Sequence, residues 1–208
     1  MKITIKILTI GILGIVFLLF LFIQYLKSDL NNSFHQSDIQ KLKAEVKSAE
    51  ELPKNFLEVY NSIQPITNTT EELFNWFFEN YNNKCPCLEV ANFKQNLTMN
   101  NNRITGNKYI LAWKLEKEVT QQECLKFLVA KHDFLYNNIG IEKASKFYFD
   151  SSLDSLNEEQ MMILTLMIKN PAFYNPKINP EGVNEELEKI KSFNLNCITI
   201  FGVKIQFG

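Results

Sequence analysis

The strongest hydrophobic pattern of the chain lies near its amino terminus, where residues 7–26 contain no charged side chain and few polar ones. An α-helix of about 20 residues is about 30 Å long, which matches the hydrocarbon core of a bilayer. A cleaved signal peptide would end in a small-x-small site, and none follows this segment. The pattern therefore predicts a retained transmembrane anchor over residues 7–26. The alternative, a buried core helix, would need partners that enclose apolar residues on every side.

Charges beside this segment indicate its orientation. Lys2 and Lys6 precede the apolar residues, whereas Lys27 behind them is balanced by Asp29. Positive charge favours the cytoplasmic side of a membrane, so we expect residues 1–6 to form a cytoplasmic end. The sequence thus predicts a single-pass protein of the inner or plasma membrane whose domain lies on the outer, periplasmic face.

The segment behind the anchor, residues 27–51, is polar and charged. Within it, four apolar residues recur at helical spacing: Ile39, Leu42, Val46 and Ala49. This spacing fits a helical stalk or linker between membrane and domain, and it fits a first helix of the domain equally well. In the first interpretation the folded domain occupies residues 52–208.

The rest of the pattern is mostly helical. Apolar spacing predicts helices over residues 56–63, 69–81, 104–115, 121–134, 140–148, 157–168 and 184–192. Apolar residues surround the whole cylinder of the 69–81 helix, so we expect it in the core or in contact with lipid. Pro180-Glu181-Gly182 is typical of a turn, and the alternation over residues 198–207 predicts a strand or short β-hairpin about Gly202. The expected fold class is mostly α, with a possible short C-terminal β-hairpin.

Composition narrows the kind of partner. The 22 basic and 23 acidic residues give a net charge of -1 and form no basic stripe, which argues against nucleic acid. Behind the anchor remain roughly 180 residues, enough for one domain with a substantial core. Only seven glycines and six prolines interrupt the chain, and this favours helices over a turn-rich β architecture.

A family resemblance is carried by residues 137–181. The segment contains Asn138-Ile139-Gly140-Ile141-Glu142, the pair Tyr148-Phe149, Pro171-Ala172-Phe173-Tyr174-Asn175-Pro176 and Asn179-Pro180-Glu181. In order and spacing these resemble the Tyr-Gly-Ile-Glu, Tyr-Phe, Pro-x-x-Tyr-x-Pro and Asn-Pro-Glu elements of the peptidoglycan glycosyltransferases of family 51. The resemblance runs without a gap from Lys114 to Tyr148. It implies a lysozyme-like transglycosylase domain that acts on a lipid-linked disaccharide.

The catalytic motifs of that family are changed in this chain. Counted from Leu52-Pro53, the family's general base, a glutamate that deprotonates the acceptor hydroxyl, falls on Gln64, and a second important glutamate falls on Lys126. The Gly-Gly-Ser-Thr-Ile-Thr-Gln-Gln motif should occupy residues 85–97, of which only Asn96-Leu97 fit, and the Arg-Lys-x-x-Glu motif is lost near Arg103. The resemblance therefore implies the fold without a confident catalytic residue. If the correspondence is right, Gln64 and Lys126 should face one groove.

Three glutamates are fallback candidates for a displaced base: Glu71, Glu72 and Glu116. Glu71 and Glu72 could serve if the chain inserts extra residues before them. The simpler interpretation of this pair is stabilisation of the first turn of a helix through its dipole.

Other chemistry is sparse. Cys85 and Cys87 have no second close pair, since Cys124 and Cys197 stand alone, so no zinc site, other metal or cofactor is expected. Outside the membrane a disulfide is conceivable, but its connectivity cannot be read, and Cys124 fits a buried free thiol equally well. Neither His35 nor His132 has a nucleophile at a recognisable spacing, so we expect surface or core roles for both.

Together these observations predict a membrane-anchored pseudoenzyme. We expect a family-51-like protein that has lost catalysis and acts as a cell-envelope binding or scaffold module. Its partners would be a lipid-linked glycan or cell-wall synthesis proteins. The alternative is an active or altered transglycosylase that polymerises the lipid-linked disaccharide.

Overall fold

Helices make up the regular structure of the part of the chain that the computed structural model describes, residues 2–78, 83–96 and 106–201. They are α1 (Lys2–Lys27), α2 (Gln36–Lys47), α3 (Lys54–Ile63), α4 (Thr69–Phe78), α5 (Pro86–Asn96), α6 (Lys108–Glu116), α7 (Gln121–Lys131), α8 (Ile141–Phe149), a 3-10 turn (Leu153–Ser155), α9 (Glu158–Lys169) and α10 (Pro180–Phe201). Extended pairing within these residues is limited to two isolated bridges. The predicted mostly α class is confirmed.

Helix α1 carries the apolar segment predicted as an anchor. Its stretch Lys6–Lys27 has a mean hydropathy of 2.7 and is not buried. A buried core helix is therefore not what this segment forms, and its length and composition are sufficient to cross a membrane. Its last turns touch the domain, where Ile23 and Leu26 pack against a core cluster.

Helix α2 belongs to the folded body. Its apolar face, Ile39, Leu42 and Val46, is buried against α6 and α7. Of the two interpretations of residues 36–47, this packing is that of a first helix of the domain, because a free-standing stalk would leave these three side chains in solvent.

Two hydrophobic clusters meet at α7. One is built mainly from α3, α8, α9 and the start of α10, and it includes Leu125 and Val129 of α7. The other is built from α2, α5 and α6, and it includes Cys124 and Phe127 of α7. Side chains on opposite faces of α7 enter different clusters. Helix α7 therefore lies between the two clusters and packs against both.

Helix α5 was not predicted. Its buried positions Cys87, Val90, Ala91 and Lys94 have the i, i+3, i+4, i+7 spacing of a helix face. One of the four is a lysine, so a search for apolar periodicity misses the helix. Pro86 occupies the first helical position, where its missing N–H costs nothing.

The predictions for the carboxyl-terminal region need correction. Helix α10 begins at Pro180 rather than near Asn184, because the Oδ1 atom of Asn179 accepts the N–H of Gly182 at 3.2 Å and caps the helix. Residues 198–201 continue α10 and do not form the predicted strand. A running helix gains one hydrogen bond per residue, whereas a strand needs a partner strand. Residues 202–208, like 79–81 and 104–105 of the predicted helices, lie outside the described part.

Candidate functional site

A cleft of about 520 Å³ lies between α3, α5, α7 and the end of α9, where the two hydrophobic clusters meet. Its walls mix apolar and charged side chains: Tyr60, Gln64, Lys84, Pro86, Glu89, Phe93, Leu125, Leu128, Lys131, His132, Asp133, Ile168 and Lys169. Such a lining can hold a ligand that has both an apolar part and a charged part.

Gln64 lies in the wall of this cleft. It follows the last residue of α3, is 5% exposed, and donates from Nε2 to the backbone carbonyl of Thr165 in α9 at 3.2 Å. The prediction placed the family's general base at this position. An amide does not take up a proton at neutral pH, so Gln64 can orient a ligand but cannot act as a base.

Lys126 lies elsewhere. Its side chain is buried, and its ammonium forms an ion pair with Glu51, in the segment before α3. Leu125 and Leu128 line the cleft, whereas Lys126 does not. Gln64 and Lys126 therefore do not face this cleft together, so the expected correspondence fails at Lys126, whose assignment to a family catalytic position rests on motif order alone.

His132 occupies the end of α7 and lines the cleft. Its Nε2 atom lies 3.1 Å from the carbonyl oxygen of Met167, and its ring packs edge-on against Phe134 at 4.7 Å. A carbonyl oxygen can only accept, so Nε2 donates and Nδ1 keeps its lone pair. Burial lowers the pKa of His132, against the opposing effects of the Met167 carbonyl and Asp133. The lowered pKa favours the neutral ring at neutral pH, in which Nδ1 can accept a hydrogen bond, and the sequence context did not reveal this.

Lys84 and Glu89 bring charge to the opposite wall. Backbone hydrogen bonds fix Lys84 beside the end of α3, from its N–H to the Pro65 carbonyl at 2.8 Å and from the Thr67 N–H to its own carbonyl at 2.9 Å. Glu89 is exposed on α5. Burial raises the pKa of Tyr60, and the charge of Glu89 adds to the rise, so the Tyr60 hydroxyl remains a donor. Neither Lys84 nor Glu89 was a predicted site residue, because α5 itself was missed.

Comparison with known proteins finds a family match for part of the chain. The family model described as Transglycosylase matches residues 92–192, from within α5 to within α10. This segment is therefore similar to the transglycosylase family. The match takes in all of the cleft lining from α7 and α9, whereas Gln64, Lys84 and Glu89 lie before it.

Three relatives that match part of this chain have similar sequence identity to it. Penicillin-binding protein 1A of Pseudomonas aeruginosa is 31% identical over 79 residues, which are 38% of this chain and 10% of that protein. Penicillin-binding protein 1B of Haemophilus influenzae is 30% identical over 76 residues, 36% of this chain and 10% of that protein. Biosynthetic peptidoglycan transglycosylase of Acinetobacter baylyi is 28% identical over 74 residues, 36% of this chain and 33% of that protein. The matched part thus spans a tenth to a third of these relatives.

Glu116, at the end of α6 in the transglycosylase segment, is engaged in structure. Its Oε1 atom accepts the backbone N–H and the hydroxyl of Thr69, both at 2.7 Å, and the Nε2 group of Gln121 at 2.6 Å. These bonds tie the starts of α4 and α7 to α6. Its three donors are already in place, as in a helix cap, and Glu116 is not among the residues that line the cleft.

The two glutamates of α4 differ from each other. Glu71 closes the start of the helix, accepting the Asn68 amide at 2.8 Å and the Thr67 hydroxyl. Glu72 is half-buried and accepts the Asn75 amide at 2.7 Å. Burial raises the pKa of Glu72, with Glu89 adding to the rise and Lys84 opposing it. The charge of Glu72 thus couples to Lys84 and Glu89 of the cleft.

Of the cysteines whose side chains are described, two form a disulfide and one is a buried free thiol. Cys87 of α5 is bonded to Cys124 of α7, which joins the two helices that carry opposite cleft walls. Cys85 is buried and free, and burial raises its pKa to about 12, so it is not a thiolate nucleophile at neutral pH. The side chain of Cys197 lies outside the described residues. Among the residues that are described, no group of three His, Cys, Asp or Glu side chains could hold a metal ion.

Proposed function

We propose that this protein is a membrane-anchored, transglycosylase-like module that binds a lipid-linked glycan in the cleft without polymerising it. The observation that carries the proposal is Gln64. Its side chain lines the cleft at the position that the family resemblance assigns to the general base, and its amide is held by the Thr165 carbonyl. Without a proton acceptor there, the acceptor sugar hydroxyl stays protonated and the glycosidic bond does not form.

The cleft lining supports an amphiphilic, anionic ligand. Phe93, Leu125, Leu128 and Ile168 offer apolar contacts, while the ammonium groups of Lys84, Lys131 and Lys169 outnumber the carboxylates of Glu89 and Asp133. A lipid pyrophosphate joined to a sugar has this combination of apolar and anionic parts. Cations at the cleft would offset its negative charge.

Contacts between anchor and domain support a domain that lies close to the membrane. The ammonium of Lys27 donates to the Thr70 hydroxyl at 2.7 Å and lies 5.2 Å from the centroid of the Trp113 ring. The Lys114 ammonium donates to the Ser28 carbonyl at 3.1 Å. These bonds join the end of the anchor to α4 and α6. The proposed location on the outer face also agrees with the Cys87–Cys124 disulfide, which persists in oxidising compartments.

The alternative function is an altered transglycosylase in which Glu72 replaces the missing base. The raised pKa of Glu72 favours it, because a carboxyl group with a pKa nearer neutrality exchanges protons more readily. A scaffold that binds cell-wall synthesis proteins through the same cleft would need neither Gln64 nor Glu72 for its function.

Incubation of the full chain in lipid nanodiscs with lipid-linked disaccharide pyrophosphate separates these functions. We expect saturable binding and no glycan polymer on a gel. Lys84→Met should weaken binding, whereas Lys189→Met, which removes an exposed ammonium far along α10, should not. Polymer formed by the wild-type chain and abolished by Glu72→Gln would overturn the non-catalytic proposal. Absence of binding would overturn the glycan-binding role and leave the scaffold.

A further inference from the structure

The junction between the membrane helix and the domain contains an ammonium group that is buried without a carboxylate partner. Lys114 of α6 is 3% exposed, and its ammonium donates to the backbone carbonyl of Ser28, the residue after α1, at 3.1 Å. No carboxylate of the described residues lies within ion-pair distance of this ammonium. A buried charge that lacks an opposite charge costs free energy, so the folded domain alone does not account for this lysine.

A second cation lies at the same junction. The ammonium of Lys27, the last residue of α1, donates to the Thr70 hydroxyl at 2.7 Å and lies 5.2 Å from the centroid of the Trp113 ring. It too has no ion-pair partner among the residues that the structure describes. The residues that make these contacts are adjacent along the chain, so both ammonium groups lie beside the end of α1. We name Lys27, Thr70 and Lys114 the anchor junction.

Asp29, two residues after Lys27, does not neutralise the anchor junction. Its carboxylate is exposed and pairs with the ammonium of Lys117 at 2.8 Å. Three lysines therefore carry positive charge here, of which Asp29 balances one. Burial lowers the pKa of Lys114, the charge of Asp29 opposes this effect, and the charge of Lys117 adds to it. An anion bound at the junction would stabilise the protonated form of Lys114.

The position of the anchor junction along α1 indicates the source of such an anion. The apolar stretch of α1 ends at Leu26, so in a membrane-spanning α1 Lys27 is the first charged residue beyond the hydrocarbon core. Lysines at this depth lie at the level of the lipid head groups. Phe22 and Tyr25, in the last two turns of α1, are 57% and 48% exposed and offer contact to an acyl chain. A phosphate carried by a lipid therefore fits the junction better than a phosphate dissolved in water does.

We propose that the anchor junction binds the phosphate of an anionic membrane phospholipid, with the ammonium groups of Lys27 and Lys114 as donors. Ammonium and phosphate form charge-assisted hydrogen bonds, which are stronger than those between neutral groups. The Thr70 hydroxyl accepts from Lys27 and from the Trp113 indole N–H at 3.2 Å, and it holds the first ammonium in place. The lining of the cleft includes none of these residues. The proposal thus rests on the membrane anchoring within the proposed function and not on the cleft.

Titration of the full chain in detergent with phosphatidylglycerol, or with phosphatidylcholine of the same acyl chains, tests the site. Native mass spectrometry counts the lipid molecules bound. The wild type should retain phosphatidylglycerol in preference to phosphatidylcholine, and the anionic lipid should raise its Tm, since a ligand that binds the folded chain stabilises it. Lys27→Met and Lys114→Met should each weaken phosphatidylglycerol binding by about fivefold, and Lys27→Arg should retain it. Circular dichroism checks that Lys114→Met is folded, and the half-buried Lys27 tests the site independently.

Lys6→Met is the matched control, because it removes the same charge from an exposed lysine at the other end of the membrane helix. It should weaken phosphatidylglycerol binding by less than about twofold. Equal losses in Lys6→Met and Lys27→Met would mean a general attraction of lysines to anionic lipid and would overturn the proposal. Displacement of phosphatidylglycerol by excess inorganic phosphate would also overturn it, since the ligand would then be phosphate itself.

Two further measurements separate this site from the proposed function. Lys84→Met, in the cleft, should leave phosphatidylglycerol binding unchanged; a loss equal to that in Lys27→Met would place the lipid in the cleft and overturn the proposal. Extraction of membranes with alkaline carbonate tests the anchor. If the chain is released from membranes, the anchoring and the lipid site both fail. If the chain stays in the membrane but does not prefer phosphatidylglycerol, only the lipid site is refuted.

Discussion

The Cys87–Cys124 disulfide offers a direct test of how the two halves of the domain are held together. The bond closes a loop of 37 residues' separation and joins α5 to α7. In the chain-entropy account a 15-residue loop contributes about 3 kcal/mol and a 100-residue loop about 4.7, so this loop should contribute about 4 kcal/mol. For a domain of this size, that loss corresponds to a fall in Tm of about 8–16 °C.

The assay is urea unfolding of the full chain in detergent, followed by tryptophan fluorescence. It compares the oxidised chain, the same chain after reduction with a dithiol, and the double variant Cys87→Ala/Cys124→Ala. Reduced and doubly substituted chains should lose the same stability. Cys85→Ser is the control: it alters a buried free thiol, and it should retain the difference between the oxidised and reduced forms. If oxidised and reduced chains unfold within about 0.5 kcal/mol of each other, the inferred cross-link between the cleft walls is wrong.

Two further outcomes are expected. Glu116→Gln should destabilise the fold by about 2 kcal/mol in the same assay, because it removes a charged acceptor of three hydrogen bonds, whereas Glu118→Gln on the same turn should have a much smaller effect. The lowered pKa of His132 makes stability depend on pH, because the unfolded chain takes up this proton at a higher pH than the folded chain does. The contribution of neutral His132 to stability is complete above about pH 6.5, the pKa of an unfolded histidine, and it is lost as the pH falls through the lower pKa of the folded state. Melting temperatures of the wild type and His132→Gln between pH 7.5 and 5 check this. A parallel decline in both would exclude His132 as the source.

Much of the helical framework was predictable because most helices present an apolar face at regular spacing. Helix α9, for example, is predicted by Asn157 and the apolar residues that follow it. The structure has a capping box formed by Asn157 and Gln160 at this position. Helix α5 was missed for a physical reason that also affects the site. Lys94 lies on its buried face and is compensated by Glu45, 49 residues away. Local patterns cannot indicate a charge partner that only the fold supplies.

The candidate site was predictable only in part. Family motifs pointed to Gln64, and the structure places it in the cleft. Lys126, assigned by the same reasoning, lies outside the cleft and pairs with Glu51. No sequence motif includes Lys84, Glu89 or His132. They line the cleft because α3, α5, α7 and α9 converge there.

The sequence by itself determined what depends on neighbours along the chain: an apolar segment long enough to cross a bilayer, a mostly helical domain, and the ordered motifs of a transglycosylase. Tertiary structure decided what depends on distant pairs. It paired Cys87 with Cys124, made a cap of Glu116, packed α2 into the domain, and brought Lys114 against the end of α1. Helical spacing is a property of a dozen consecutive residues, whereas a disulfide, a buried ion pair or a cleft requires residues tens of positions apart, and only the packed chain brings them together.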